Sequence, residues 1–87
     1  MLFLVHWEVH PETRNAAQDR FRKTGGLPPA GVKMVGRWHY VDMAGGVALA
    51  EADDAVAIAK WAQAWSDVIT LEARAVMDDQ QAAVVIG

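Results

Sequence analysis

Two ionisable side chains interrupt otherwise apolar, strand-like runs in this chain of 87 residues. His6 follows Leu2-Phe3-Leu4-Val5, and Glu72 follows Val68-Ile69-Thr70-Leu71. Successive side chains of a strand point to opposite faces, so an ionisable group in mid-strand meets either solvent or a polar cavity. An imidazole beside a carboxylate can pass a proton, which makes His6 and Glu72 candidates for acid–base work. The same two groups can instead form a cross-strand polar pair lining an interface. What covers their side of the sheet decides between these roles.

Four more residues could line a binding site. The planar fork of Arg37 suits a carboxylate ligand, although a solvated arginine on an edge strand is the ordinary case. Trp38 and His39 alternate in one strand, so only one of them can join a given cavity. Ring size favours the core for Trp38, because large aromatics dominate small cores. Glu51 closes a strand just before a helix, where it either aims into a cavity as an acid or accepts hydrogen bonds from the helix start. His10 precedes Pro11 at a strand end and is expected to cap a helix or meet solvent.

The three histidines lack local ligand spacing, so neither a metal nor another cofactor is expected. Gly25-Gly26 and Gly45-Gly46 lack the spacing of nucleotide-phosphate loops. Ser66-Asp67 resembles a helix exit turn, with no nucleophile-elbow glycines around Ser66.

The elements that must position these groups follow from periodicity. Leu2 to Val9 reads as a strand with Phe3, Val5, Trp7 and Val9 on one face and Leu2, Leu4, His6 and Glu8 on the other. Pro11 and Glu12 suit a helix start, Ala17, Phe21 and Thr24 form its stripe, and Gly25-Gly26 ends it. Leu27-Pro28-Pro29-Ala30-Gly31 is a stiff loop. Lys33 to Asp42 and Val47 to Ala52 form a hairpin around the turn Met43-Ala44-Gly45-Gly46. Asp53 or Asp54 caps a second helix whose stripe Ile58, Trp61, Ala62, Trp65 has the spacing of a buried face. Val68 to Met77 is the fourth strand, and Asp78-Asp79 starts a short terminal helix through Val85.

Strand, helix, strand, strand, helix, strand is the split βαβ order of a ferredoxin-like α+β fold. Right-handed crossovers place both helices on one face of a four-stranded antiparallel sheet in the order 4-1-3-2. The odd side of the first strand and Ile69, Leu71, Ala73 and Ala75 of the fourth are the more apolar pair and are assigned to the helices. The bare face then carries Leu2, Leu4, His6 and Glu8 beside Val68, Thr70, Glu72, Arg74 and Val76. A face mixing leucine and valine with histidine and glutamate is poorly suited to water, and packing against a second copy is the simplest remedy.

Composition narrows the classes further. The length allows one domain, residues 1–87, with a modest core. A net charge of -3, with the basic residues scattered, argues against a nucleic-acid partner. The absence of cysteine removes disulfides and thiolate chemistry. No apolar run reaches the ~18 residues of a membrane span, and Met1 to Val5 is too short for a signal-peptide core. A cytoplasmic protein is the expectation.

Several segments resemble a known family. Met1-Leu2-Phe3-Leu4-Val5, Gly25-Gly26-Leu27-Pro28-Pro29-Ala30-Gly31-Val32, Gly36-Arg37-Trp38-His39, Glu51-Ala52-Asp53-Asp54 and Trp65-Ser66-Asp67 look like the uncharacterised bacterial domain of unknown function numbered 3303. Members of that family are similar to dimeric α+β-barrel proteins, so the resemblance implies a dimeric α+β barrel but carries no assigned reaction. The wider superfamily spans small monooxygenases, haem-degrading enzymes and binding proteins, among which fold alone does not select. The expected function is a homodimer holding a small, partly apolar molecule in a pocket on the open sheet face, with His6, Arg37, Trp38, His39, Glu51 and Glu72 as candidate contacts. The alternatives are a cofactor-independent oxygenase or isomerase using His6 with Glu72, and a purely structural dimer.

Overall fold

The computed structural model describes residues 1–87. The elements are β1 (Leu2–Val9), α1 (Arg14–Thr24), β2 (Val32–His39), β3 (Gly45–Ala52), α2 (Ala55–Trp65), β4 (Ile69–Val76) and α3 (Asp79–Ile86). The strands form one antiparallel sheet in the order β2-β3-β1-β4. This is the ferredoxin-like α+β fold, with the central strands β1 and β3 drawn from the two halves of the chain.

The core lies between the sheet and α2. Phe3, Val5 and Trp7 of β1, Ala48, Ala50 and Ala52 of β3, and Ile58 and Trp61 of α2 form one buried cluster. Alternation in β1 therefore works as the sequence implies, its odd positions meeting the helices. Ile69 and Leu71 pack against the same cluster, while Ala73 and Ala75, further along that face of β4, remain exposed. Asp54 caps α2 by accepting a hydrogen bond from the Ala57 N–H at 3.0 Å. The first helix starts at Arg14 rather than at Pro11, because residues 11–13 form a turn. Thr13, at the N-cap position, makes no side-chain cap and donates its hydroxyl to the Val68 carbonyl at 2.6 Å.

The β2–β3 hairpin departs from the expected boundaries. The turn spans residues 40–44, and Gly45 and Gly46 belong to β3, opposite Glu8 and Trp7 of β1. Their bareness serves close approach. A Cβ on Gly46 would collide with the Trp38 carbonyl and with the Trp7 indole, 2.5 Å from Cζ2. Gly46→Ala is therefore expected to destabilise the fold by ~1–3 kcal/mol through overpacking, read by urea denaturation.

A bulge in β2 has the largest consequence for the site. The register shifts between Met34 and Gly36, so Val35 is the extra residue. Before it, the even residues Val32 and Met34 meet the core; after it, the odd residues Arg37 and His39 take the helix side. Trp38, opposite Val47, is thereby turned to the open face, where it is 61% exposed and its ring lies against Gly36. The expectation that Trp38 is core is overturned by this change of parity.

Candidate functional site

The helix side of the sheet is incompletely filled. A cleft of about 480 Å³ lies between α1 and the sheet, walled by Trp7, Phe21, Trp61 and Trp65 among other apolar side chains. Its origin is visible in the residue sizes. The roof, α1, buries only Ala17, and the floor includes Ala48 and Gly45. In contrast, α2 lies directly on β3 and β4 and supplies Ile58 and Trp61 to the core. Small residues on both sides of one gap leave a space that the single large residue of the α1 stripe, Phe21, does not close. Phe21 is itself 38% exposed.

Polar ties hold the roof in place. Arg20 donates to both Asp67 carboxylate oxygens at 2.8 and 2.7 Å and to the Ala64 carbonyl at 2.8 Å. Its guanidinium also lies 5.3 Å from the centre of the Trp65 ring. Hydrogen bonding from Arg20 holds the Asp67 carboxyl below its ordinary range and raises the Arg20 guanidinium above its own. A depressed carboxylate contributes its stability above its unfolded pKa and loses it as pH falls through the folded value, so this tie persists at neutral pH and opens only in acid. Just past the C-terminus of α1, about one turn beyond Arg20, Arg37 donates to the Gly26 and Gly25 carbonyls at 2.7 and 2.9 Å. It stacks over Phe21 at 5.0 Å, and burial pushes its guanidinium down from the ordinary arginine value.

His39 completes the cleft. Its ring stands edge-on to Trp7 and to Phe21, with both centroids 5.4 Å away. The imidazole makes no hydrogen bond within the chain and is exposed at the cleft margin. Of the titratable groups lining the cleft, Arg22 pairs with Asp19 at 2.7 Å and Arg37 is committed to backbone carbonyls. His39 is the one titratable group left free to meet a guest, and the amide of Gln18, also in the lining, is free beside it. Met43, held at φ 60° in the β2–β3 turn, also lines the space.

The six candidates from the sequence separate into three places. Arg37 and His39 reach the cleft. His6 and Glu72 are directly opposite in the β1–β4 register and share the open face. No hydrogen bond joins them, however: Glu72 lies 3.9 Å from Arg74, and the His6 ring is 6.1 Å from that of Tyr40. Trp38 shares their face, whereas Glu51 lies at the far end of the sheet beside Lys33 and Asp53. No three His, Asp or Glu side chains cluster as metal ligands do. His10 bonds the Thr70 hydroxyl at 2.6 Å.

The helical spacing of Trp61 and Trp65 implies core packing, which both residues meet while also walling the cleft. The void beside them carries no such signal, because the small residues that leave it, Ala17, Gly45 and Ala48, lie on separate elements and each looks ordinary in its own segment.

No helix is long and apolar enough to cross a membrane. No curated protein sequence matches the chain. Among solved structures, Rv0793 from Mycobacterium tuberculosis is similar, with a TM-score of 0.51 at 11% identity over 90% of this chain and 95% of that one. At that identity the likeness speaks for the fold alone, and it agrees with the element order and sheet topology. Over residues 1–87 the sequence matches the family described as Domain of unknown function (DUF3303), and the chain belongs to that family.

Proposed function

We propose that this protein binds a small, largely apolar molecule in the cleft beneath α1 and does so as a homodimer joined through its open sheet face. The observation that carries the binding reading is the cleft itself. Its volume lies within the ~300–1,000 Å³ of ordinary ligand sites, and it combines aromatic walls with two uncommitted polar side chains, His39 and the half-buried Gln18. A guest with a flat apolar body and one hydrogen-bonding group matches that lining. The pocket proposed here is on the helix side of the sheet, not on the open face expected from the sequence.

The dimer reading rests on a different surface. Leu4, Trp38 and Tyr40 are 40%, 61% and 45% exposed on the open face, beside half-buried Leu2, Val47, Leu49 and Val76. Apolar side chains contiguous on this scale mark association surfaces.

A catalytic reading draws on the same cleft. Proton transfer within it would use His39, since a free imidazole among apolar walls can act as a base. His6 and Glu72, on the opposite face, would serve such a step only with their side chains brought into contact.

The test fills the cleft from its roof. Ala17→Phe places a ring into the space where only a methyl group stands. Binding of 1-aminoanthracene, followed by quenching of tryptophan fluorescence, is expected to weaken at least tenfold while the melting temperature holds or rises. Unchanged probe binding by a folded Ala17→Phe protein contradicts the cleft as the binding site.

A further inference from the structure

The C-terminal helix finds almost nothing to pack against within its own chain. None of the residues of α3 is buried, and Val84, Val85 and Ile86 are 81%, 72% and 83% exposed. Its last turn is apolar all round, the pattern of a helix that is covered. Yet its start is fully specified: Asp78 accepts from the Gln81 N–H at 2.9 Å, and the Gln81 side chain accepts from the Asp78 N–H at 3.1 Å. Eight residues are too few for a stable isolated helix, since isolated helices under ~12 residues are marginal in water. A capped helix without tertiary contacts is therefore an element awaiting a surface.

Shape and area indicate what supplies it. The molecule is 48 Å long and only 27 by 17 Å across. An eight-residue strand spans ~27 Å, the two linking residues 77–78 up to ~7 Å and an eight-residue helix ~12 Å, so the long axis fits a helix projecting beyond the sheet end. The accessible surface is 6075 Å² for a chain of 9.5 kDa. A compact monomer of that mass exposes roughly 5,000 Å². The excess, roughly 1,000 Å², is comparable to the ~800 Å² that each partner contributes to a stable interface.

From these observations we infer that α3 is an exchanged arm, laying Val85 and Ile86 on a second copy of this chain so that each copy clasps the other. The arm leaves β4 at Val76, which lies beside Leu2 on the open sheet face, so its contact continues that face. This inference rests on the homodimer proposed above and adds an element that the sheet faces alone do not require.

Amide hydrogen exchange by mass spectrometry, at protein concentrations above and below the dimer dissociation constant, reads the arm directly. Exchange of residues 82–86 is expected to be at least tenfold slower in the dimer than in the dissociated chain. Val85→Glu should also raise the dissociation constant at least tenfold in sedimentation equilibrium, with the exchange pattern of the sheet unchanged. A dimer in which residues 82–86 exchange as fast as in the monomer overturns the arm and leaves the sheet-face dimer standing. A wild-type chain that remains monomeric at high micromolar concentration overturns both.

Discussion

Replacing Trp61 with alanine is expected to lower the unfolding free energy by ~3–5 kcal/mol, the usual cost of deleting a core aromatic. Trp61 is only 8% exposed and joins Ile58 in bringing α2 onto Phe3, Val5 and Trp7. It also walls the cleft, so its loss joins a new void to an existing one and leaves no neighbour placed to collapse into the space. Urea denaturation at one fixed protein concentration measures this, since association would otherwise change the apparent stability. A loss below ~1 kcal/mol, the range of surface substitutions, would show that the ring is not part of the core.

Leu4→Lys is expected to weaken self-association at least a hundredfold, equivalent to ~3 kcal/mol. Leu4 lies mid-strand on the open face, opposite Leu49 on one side and Arg74 on the other. In a face-to-face dimer an ammonium group there is desolvated beside an existing guanidinium, and an unpaired buried charge carries a cost of this size. Because Leu4 is 40% exposed within the single chain, the substitution should leave the monomer fold nearly unchanged. Sedimentation equilibrium checks the association, and unfolding at low concentration checks the fold. Equal dissociation constants for the two proteins would remove the open face as the interface.

The fold followed from alternation and helix spacing because those signals are local and repeated. Phe3, Val5 and Trp7 had to share a face, and Ile58 and Trp61 had to meet it. Asp54 before an apolar helical stripe and Gly25 after one marked ends that the structure keeps. The site was harder to read because it depends on features that strict alternation hides. One extra residue, Val35, reverses the parity of β2 and decides that His39 enters the cleft while Trp38 leaves it. Gly36 in a strand interior was the available hint, since glycine there often accompanies a bulge. Arg37 illustrates another limit: its position on the strand was readable, but its bonds to the Gly25 and Gly26 carbonyls depend on how α1 ends over the sheet. The cleft is an absence of side-chain volume shared among Ala17, Gly45 and Ala48, and no single residue type announces it.

The most direct test of the binding cleft is a titration of the isotope-labelled protein with 1-aminoanthracene, followed by backbone amide chemical shifts. The proposed site requires saturable shifts concentrated at Ala17, Phe21, His39, Met43 and Ala48, with Leu4, Val47 and Glu72 on the opposite sheet face little changed. Saturable shifts centred on Leu4, Val47 and Glu72, with the residues beneath α1 unmoved, would contradict it.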